Sequence, residues 1–271
     1  MRRLACLAFA VAVGFLGLGI PAPGVEGAPQ DEAPPPFLLT LRGNYVVVNY
    51  TPGGLDRAYH IKMRLDLLAA DFSKWVGTPI RLRVFVLTRD EWGQFGFGVP
   101  DGLPGRIRGS TLAVPWAGDA GTIDLWTEIQ GDPPPPLVGT PMRGTAEEAA
   151  TMALADLLTE VEAARILLTM GSVRGEVPWV HQILPHLVAR AAFVRYEGPR
   201  LPEIDDFFAG LGGGDRQVSL ERYTGGLDLP TLLWFESRFQ DGARLILENG
   251  KRNEVREIIK QARKALSLIH I

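Results

Sequence analysis

The chain has 271 residues, of which 46% are hydrophobic and 22% are charged, so it can bury the core of one large domain or two small ones. Its 28 basic and 31 acidic residues argue against a nucleic-acid partner, which would need a basic face. Cys6 is the only cysteine. A mature chain without it would have no disulfide, no thiol nucleophile and no thiolate metal ligand.

The N-terminal segment has the pattern of an export signal. Met1–Leu4 is a positively charged region, Ala5–Ile20 is apolar, and small residues at Val25–Gly27 fit cleavage before Ala28. We therefore predict a signal peptide at 1–27 and an exported protein, periplasmic or extracellular, with no stable membrane span after cleavage. The alternative is an uncleaved anchor, because the apolar run is near the lower length limit for crossing a bilayer.

The remaining chain is predicted to contain a β-rich half and a helical half. Hydrophobic periodicity and the positions of glycine and proline predict the elements. In chain order they are strands at Phe37–Leu41 and Tyr45–Tyr50, a helix at Leu55–Val76, strands at Arg81–Leu87, Ile107–Val114 and Thr122–Ile129, and helices at Thr145–Leu168, Trp179–Arg195, Ile204–Ala209, Leu229–Glu248 and Glu254–Ala265.

This order of elements predicts an α+β fold. Residues 28–36 are acidic and proline-rich, which is typical of a linker. The domain at 37–265 then divides into a β-rich lobe at 37–130, with one packed helix, and a helical lobe at 142–265. The boundary is Gly131–Leu137, whose four consecutive prolines cannot enter a helix or a central strand.

Two consecutive helices follow the arrangement of a zinc peptidase, but the metal ligands are missing. In the run Thr159-Glu160-Val-Glu-Ala163, two residues at i and i+4 flank a glutamate on one helical face, as in His-Glu-x-x-His. Pro178 and Trp179 open the next helix, from which Gln182 would arrive as a third ligand. Threonine, alanine and glutamine offer zinc no imidazole, thiolate or carboxylate, so we predict no metal and no cofactor.

The second of these helices resembles the Pro-x-Trp-Leu-x-Glu-Gly stretch of gluzincin metallopeptidases, the peptidase MA-like group. Gln182 stands where that stretch has the glutamate that is its third zinc ligand, and Ile183 replaces the glycine. The first half is similar to that family in the order of its hairpin, helix and strands. The resemblance covers Phe37 to about Phe239 and implies a zincin-like fold.

The resemblance also implies a degenerate site. Thr159, Ala163 and Gln182 would occupy the positions of the lost zinc ligands, and the protein would be a pseudopeptidase. We then expect a non-enzymatic role in the cell envelope, either peptide or protein binding or a structural one. Two alternatives stay open: an active zinc metallopeptidase with ligands that the motif does not reveal, and an envelope protein that acts only through its surface.

Glu160 is the candidate remnant of catalysis. Without zinc it would have no metal-activated water to serve, so the simplest interpretation is a solvated carboxylate opposite the apolar stripe of its helix. Asp156, Trp179, His181 and His186 are candidates to line a remaining cleft. The two histidines are five residues apart, about 140° around a helix, so they would not share a metal ion. We interpret them as surface or interface histidines.

The C-terminal residues 266–271 are a candidate non-native tail. Leu266–Ile271 breaks the charged amphipathic pattern before it and is similar to the translated adapter sequence of some sequencing assemblies. We therefore predict that helical order ends near Ala265. The alternative is a native apolar tail that docks on the core.

Overall fold

A five-stranded mixed sheet with helices packed against it forms the described part of the chain. The computed structural model describes residues 37–88, 90–92, 103–116, 145–173, 178–211, 229–249 and 254–269. The strands are β1 (Leu39–Arg42), β2 (Val46–Tyr50), β3 (Leu82–Leu87), β4 (Gly105–Arg108) and β5 (Thr111–Pro115). The α-helices are α1 (Leu55–Val76), α2 (Ala146–Met170), α3 (Pro178–Tyr196), α4 (Leu201–Leu211), α5 (Leu229–Asn249) and α6 (Glu254–Ile269), with a 3-10 turn at Gly198–Arg200 between α3 and α4.

The sheet has the strand order β1-β2-β3-β5-β4. The predicted hairpin is confirmed, since β1 pairs antiparallel with β2. β2 and β3 are parallel and are joined by α1, and β3 is parallel to β5. Parallel neighbours need such a crossover, because a short turn can join only antiparallel strands. The sheet therefore has a parallel centre and an antiparallel strand at each edge.

The prediction of one continuous strand at Ile107–Val114 is wrong. The structure has a hairpin there, with β4 antiparallel to β5 and a turn at Gly109 and Ser110. Gly109 has φ of 54°, a left-handed conformation that glycine adopts without a steric cost. The prediction joined the strand-forming residues on both sides of Gly109 and Ser110 into one strand, although this pair also fits a turn.

β3 is covered on both of its faces, although its sequence alternates well enough to allow one solvated face. Val84 and Val86 point into the main core, and Phe85 and Leu87 on the opposite face belong to a second apolar cluster. That cluster consists of Leu38, Phe85, Leu87, Trp92 and Ala113. β3 is central in the sheet, and a parallel central strand is normally covered on both faces.

α1 confirms its predicted buried stripe, which consists of Ala58, Ile61, Leu65, Leu68, Ala69, Phe72 and Val76. The helix ends at Gly77, which has φ of 72° and donates its backbone N–H to the carbonyl of Ser73. On its outer side, the carboxylate of Asp66 accepts backbone N–H groups from the turn between β1 and β2. α1 is thus held to the hairpin by hydrogen bonds as well as to the sheet by apolar contacts.

α2 begins with a capping box. The hydroxyl of Thr145 accepts the N–H of Glu148, and the carboxylate of Glu148 accepts the N–H of Thr145. From Met152 to Val161 every residue is buried, since α2 contacts α1, α3 and the strands β4 and β5. The main apolar core is continuous from the sheet through α2 to the later helices.

The predicted helices of the second half are confirmed in number and order, with ends that differ by a few residues. The main difference is α6, which continues to Ile269 and so extends past Ala265, where we predicted that order would end. Alanine and leucine propagate a helix well, and this explains the extension. Whether residues 266–271 are native stays a prediction.

Several expectations lie outside the described residues. These are the signal peptide and linker at 1–36, the strand at Thr122–Ile129 and the proline boundary at Gly131–Leu137. Among the helices that the structure describes, none combines the length and apolarity needed to cross a membrane.

Candidate functional site

A buried polar cluster fills the seam between α1 and α2. Both helices lie on the same face of the sheet, α1 next to β2 and α2 next to β5. Polar residues recur on α1 at i, i+3 and i+7 and on α2 at i and i+4, and these spacings place each set on one helical face. We call this set the seam cluster; it consists of Arg57, His60, Arg64, Asp156, Glu160 and Glu197.

Asp156 joins α2 to the first two turns of α1. The Nη1 group of Arg57 donates to Oδ1 of Asp156, and Nε2 of His60 lies 2.9 Å from Oδ2 of the same carboxylate. Asp156 is 1% exposed and Arg57 is 2% exposed. Each carboxylate oxygen therefore has its own partner from α1, a geometry that fixes the rotation of the two helices about their axes.

Arg64 joins three elements. Its Nε donates to Oε1 of Glu160 on α2 at 2.5 Å, and its Nη1 donates to Oε1 of Glu197 at 2.5 Å. Glu197 immediately follows α3, so one guanidinium holds α1, α2 and the end of α3 together. Guanidinium groups suit this position because their donors form a planar fork that reaches two carboxylates.

The seam cluster brings two guanidinium groups and one imidazole against three carboxylates. Arg57 and His60 contact Asp156, and Arg64 is shared by Glu160 and Glu197. Burial raises the pKa of Glu160 to about 6; Arg64 opposes this shift, and Glu197 and Asp156 add to it by repulsion. The Oε2 atom of Glu160 accepts no hydrogen bond from the described residues.

Glu160 is therefore not the solvated carboxylate that we predicted. Glu160 is 3% exposed. Asp156, Thr159 and Ala163 of α2 are buried as well. The prediction is wrong because α2 is covered on all sides rather than on one apolar stripe. The structure brings Glu160 and Asp156 together at the seam, where both are paired with basic residues of α1.

The structure describes what surrounds Thr159 and Ala163, and part of what surrounds Gln182, the three positions at which we predicted replaced zinc ligands. The hydroxyl of Thr159 donates to the carbonyl of Ala155 in its own helix at 2.6 Å, and Ala163 lies in the apolar core. Gln182 is partly exposed on α3, and its Oε1 is buried without a hydrogen-bond partner in the described part of the chain. His181 is partly exposed on α3, and the side chain of Trp179 lies outside the described residues.

His186 belongs to a second buried cluster between α3 and α5. Its Nε2 lies 2.9 Å from Oε2 of Glu236, and its Nδ1 lies 3.2 Å from Oε1 of Gln240. Arg165 of α2 approaches Glu236 at 3.5 Å. His186 therefore lies at an interface between helices and is fully buried, which is one of the two placements that we expected for it. We call Arg165, His186, Glu236 and Gln240 the helical cluster.

The charge of the helical cluster favours an ionised Glu236. Burial alone would raise the pKa of Glu236, but protonated His186 and Arg165 outweigh burial and hold it below its ordinary value. The ring of His186 also packs near Phe208 and Phe239, with centroid separations of 6.5 Å and 5.9 Å. His186 is thus fixed by partners on both ring nitrogens and by aromatic neighbours.

Neither of the two described clusters has the arrangement of a metal centre. Within the ranges that the structure describes, no group of three or more His, Cys, Asp or Glu side chains is placed to hold a metal ion. His60 has Asp156 as its partner and His186 has Glu236, so each histidine is already engaged by a carboxylate. What the arrangement can do chemically is to exchange a proton and to hold helices in register.

Part of the seam cluster could have been found from the sequence. Arg57, His60 and Arg64 follow a helical spacing directly beside the buried stripe of α1, and such residues need partners if the helix is covered. Glu197 gives no comparable signal, because it lies after the end of α3 and no periodicity places it near Arg64.

Comparisons of the chain with protein families, with curated proteins and with solved structures found no match. The functional argument therefore depends on the residues themselves. It rests on the two clusters, on the arrangement of the sheet with α1 and α2, and on what occupies the positions Thr159, Ala163 and Gln182.

Proposed function

We propose that this protein is an exported, catalytically degenerate relative of the gluzincin metallopeptidases, and that it binds a peptide or protein in the cell envelope without cleaving it. The observation that carries the proposal is the ion pair between Arg64 and Glu160. A peptidase of this group would need the carboxylate of Glu160 free to take a proton from a metal-bound water. Here that carboxylate accepts a hydrogen bond from α1 instead.

The arrangement of the first half supports the zincin-like part of the proposal. A mixed sheet carries α1 and α2 on one face, and α2 is the helix that holds the motif positions Thr159, Glu160 and Ala163. α3 follows and holds Gln182 near its start. This is the order of elements that a gluzincin-like chain would need to bring three ligands to one metal ion.

The chemistry of the substituted positions supports the loss of catalysis. A catalytic zinc site uses three protein ligands and one open position for water. Thr159 uses its hydroxyl within α2, and Ala163 has no ligand atom. A resident zinc ion belongs only to the alternative, in which ligands outside this motif hold the metal.

A binding role is favoured by the edge of the sheet. β4 is an edge strand of the described sheet, with Arg106 exposed and Ile107 partly exposed. An extended peptide can add to such an edge through backbone hydrogen bonds, with alternate side chains giving specificity. We expect the partner to be an extended peptide segment. A nucleic acid is not expected, because the chain has no excess of positive charge.

The test is to incubate the purified protein, supplied with zinc, with a mixture of random peptides and to follow both cleavage and retention by mass spectrometry. We expect no cleavage products and a retained subset of peptides. The matched control is Ile107→Pro, which removes a backbone donor from β4 and should reduce retention. Metal-dependent cleavage would instead favour the active-peptidase alternative, and equal retention by the control would contradict binding at β4.

A further inference from the structure

The outer side of α1 carries a row of exposed apolar side chains. Leu55 is 50% exposed, Tyr59 is 55% exposed, and Met63 and Leu67 are each 40% exposed. They recur every fourth residue, so they are neighbours on one face and form a continuous ridge along the helix. A helix that is covered on one face normally has polar residues at its outer positions. We call Leu55, Tyr59, Met63 and Leu67 the α1 stripe.

β1 is an edge strand of the described sheet and lies beside α1. It pairs with β2 on one side, and its other side presents backbone groups that can join a further strand. Leu41 packs against the main core, and Leu39, two residues earlier, points to the same face of the sheet and is 49% exposed. α1 contacts β1 and β2 on that face. An apolar ridge and an open strand edge are therefore adjacent.

A two-fold axis at the edge of β1 would bring both features against their own copies. Antiparallel pairing of β1 with β1 of a second copy places the two α1 helices antiparallel on the same face of the joined sheet. Neighbouring strands are about 4.8 Å apart, so helices that lie over β2 and beside β1 would have axes roughly 10–14 Å apart. Helices pack at about 8–10 Å, and side chains as long as leucine, tyrosine and methionine can fill the larger distance.

The strand register indicates where this axis would cross α1. Asp66 of α1 binds the turn between β1 and β2, and the middle of β1 lies about 8–10 Å from that turn along the strand. A helix covers this distance in about six residues. The axis would then pass near Tyr59, so Tyr59 would meet Tyr59 of the second copy. Leu55 and Met63, one turn to either side, would meet each other across the axis.

The apolar area fits a dimer of modest size. A large side chain has on the order of 200 Å² of surface, so the α1 stripe and Leu39 at their observed exposures present roughly 450 Å² in one copy. Two copies would then bury about 900 Å² through these side chains alone, and stable interfaces bury about 1,200–2,000 Å² in total. The paired strand edges contribute the remaining area.

A membrane surface is the main rival partner for the α1 stripe. Helices that lie on a bilayer usually have many lysines and arginines on their polar face. The charges beside the α1 stripe have both signs, with Asp56 in the first turn and Lys62 over the ring of Tyr59, 5.5 Å from its centroid. A second copy also supplies a strand for β1, which a bilayer does not. These two features favour the second copy.

We propose that the partner of this surface is a second copy of the chain: the protein forms a two-fold symmetric dimer in which β1 pairs with β1 and the two α1 stripes pack against each other. The sheet then continues through both copies, and the apolar ridge is removed from water. The dimer does not depend on the proposed function, because the peptide site proposed there is at β4, the opposite edge of the described sheet.

The test is sedimentation equilibrium of the purified protein from about 1 μM to about 100 μM. Tyr59→Lys would bring two ammonium groups together at the axis, and Leu39→Lys would place one near Arg42 of the second copy. Each should raise the dissociation constant of the dimer at least about tenfold, without lowering the melting temperature. The matched control is Leu245→Lys, the same kind of change at a site on α5 that is 47% exposed, and it should sediment as the wild type does.

Three results of this experiment would overturn the proposal. They are a wild type that is monomeric at about 100 μM, a dimer that is unchanged in Tyr59→Lys, and a dimer that Leu245→Lys weakens equally. If the wild type is monomeric, binding to phospholipid vesicles that is lost in Tyr59→Lys would assign the α1 stripe to a membrane surface. Absence of vesicle binding by that monomer would assign the stripe to neither partner.

A second measurement locates the axis without adding charge. In a Cys6→Ser background, Tyr59→Cys should give covalent dimers with a short bismaleimide linker, because residue 59 would lie opposite its own copy. Leu245→Cys in the same background should not. Equal linking of both variants, or linking of Leu245→Cys alone, would overturn the proposed position of the interface.

Discussion

The guanidinium of Arg64 and the carboxylate of Glu160 form an ion pair across the seam between α1 and α2, with Nε and Oε1 2.5 Å apart. The two residues are separated by 96 positions in the chain, and both side chains are largely buried. The same guanidinium holds Glu197, so one side chain of α1 determines where two carboxylates lie. This ion pair stabilises the contact between α1 and α2. It also means that the carboxylate of Glu160, at the position of the motif glutamate, is paired.

Arg64→Met should be strongly destabilising. Methionine keeps much of the volume but leaves Glu160 and Glu197 buried without their common cation, and breaking a buried pair in this way costs about 3–5 kcal/mol. The free energy of unfolding in urea measures the loss. The control is Arg244→Met, because Arg244 pairs with Asp241 and Glu248 at the surface, where we expect little change. Equal losses in both variants would contradict the account of the seam.

Asp66→Ala should loosen the hairpin from α1. The carboxylate accepts the N–H groups of Asn44, Tyr45 and Val46, the last two at 2.8 Å and 2.9 Å. Loss of this acceptor should destabilise the protein by about 1–3 kcal/mol, as expected when buried or partly buried donors lose their partner. Faster amide hydrogen exchange at Tyr45 and Val46 is the specific readout, and unchanged exchange there would refute the assignment.

Gly43→Ala tests the same contact from the opposite side. A Cβ atom at this position would lie 2.3 Å from Oδ2 of Asp66, so the carboxylate must move and its hydrogen bonds to the turn must weaken. The control is Gly198→Ala, where an added Cβ meets no atom within 4 Å. We expect a lower melting temperature for Gly43→Ala alone. A similar melting temperature for both variants would show that Asp66 can shift without cost.

Glu236 should govern stability in acid. Its folded pKa lies below its ordinary value, so the stability that it contributes is present above that ordinary value and is lost as the pH falls through the folded pKa. Urea unfolding from about pH 4.5 to about pH 3 should show this loss in the wild type and a smaller one in Glu236→Gln. Glu203→Gln, at an exposed position, serves as the control. An identical acid dependence in Glu236→Gln and the wild type would contradict the assignment.

The sequence predicts an element well where one face of it is covered. The stripe of α1 from Ala58 to Val76 was predictable because its residues recur at helical spacing with charged residues between them. α2 was not, because it is buried all round, and a pattern of apolar and polar residues then no longer separates inside from outside. Glu160 was placed in solvent for this reason.

The missed parts of the site depend on contacts that are distant in sequence. His60 and Asp156 are 96 residues apart, and His186 and Gln240 are 54 residues apart. A local sequence pattern cannot predict which buried carboxylate pairs with which basic residue, because the packing of whole helices determines the pairing. The turn at Gly109 was missed for a different reason, because a Gly-Ser pair between two short strand-forming stretches also fits a bulge within one strand.

The central claim is that the chain has a zincin-like frame without zinc ligands. The zinc content of a variant that carries such ligands tests this claim most directly. Thr159→His, Ala163→His and Gln182→Glu together would return the ligands that a gluzincin-like frame lacks, and elemental analysis after dialysis measures the bound metal. We predict about one equivalent of zinc in the triple variant, much less in the variant with the two histidines alone, and none in the wild type. A folded triple variant without zinc, or a wild type that retains about one equivalent, would contradict a zincin-like frame that has lost its metal.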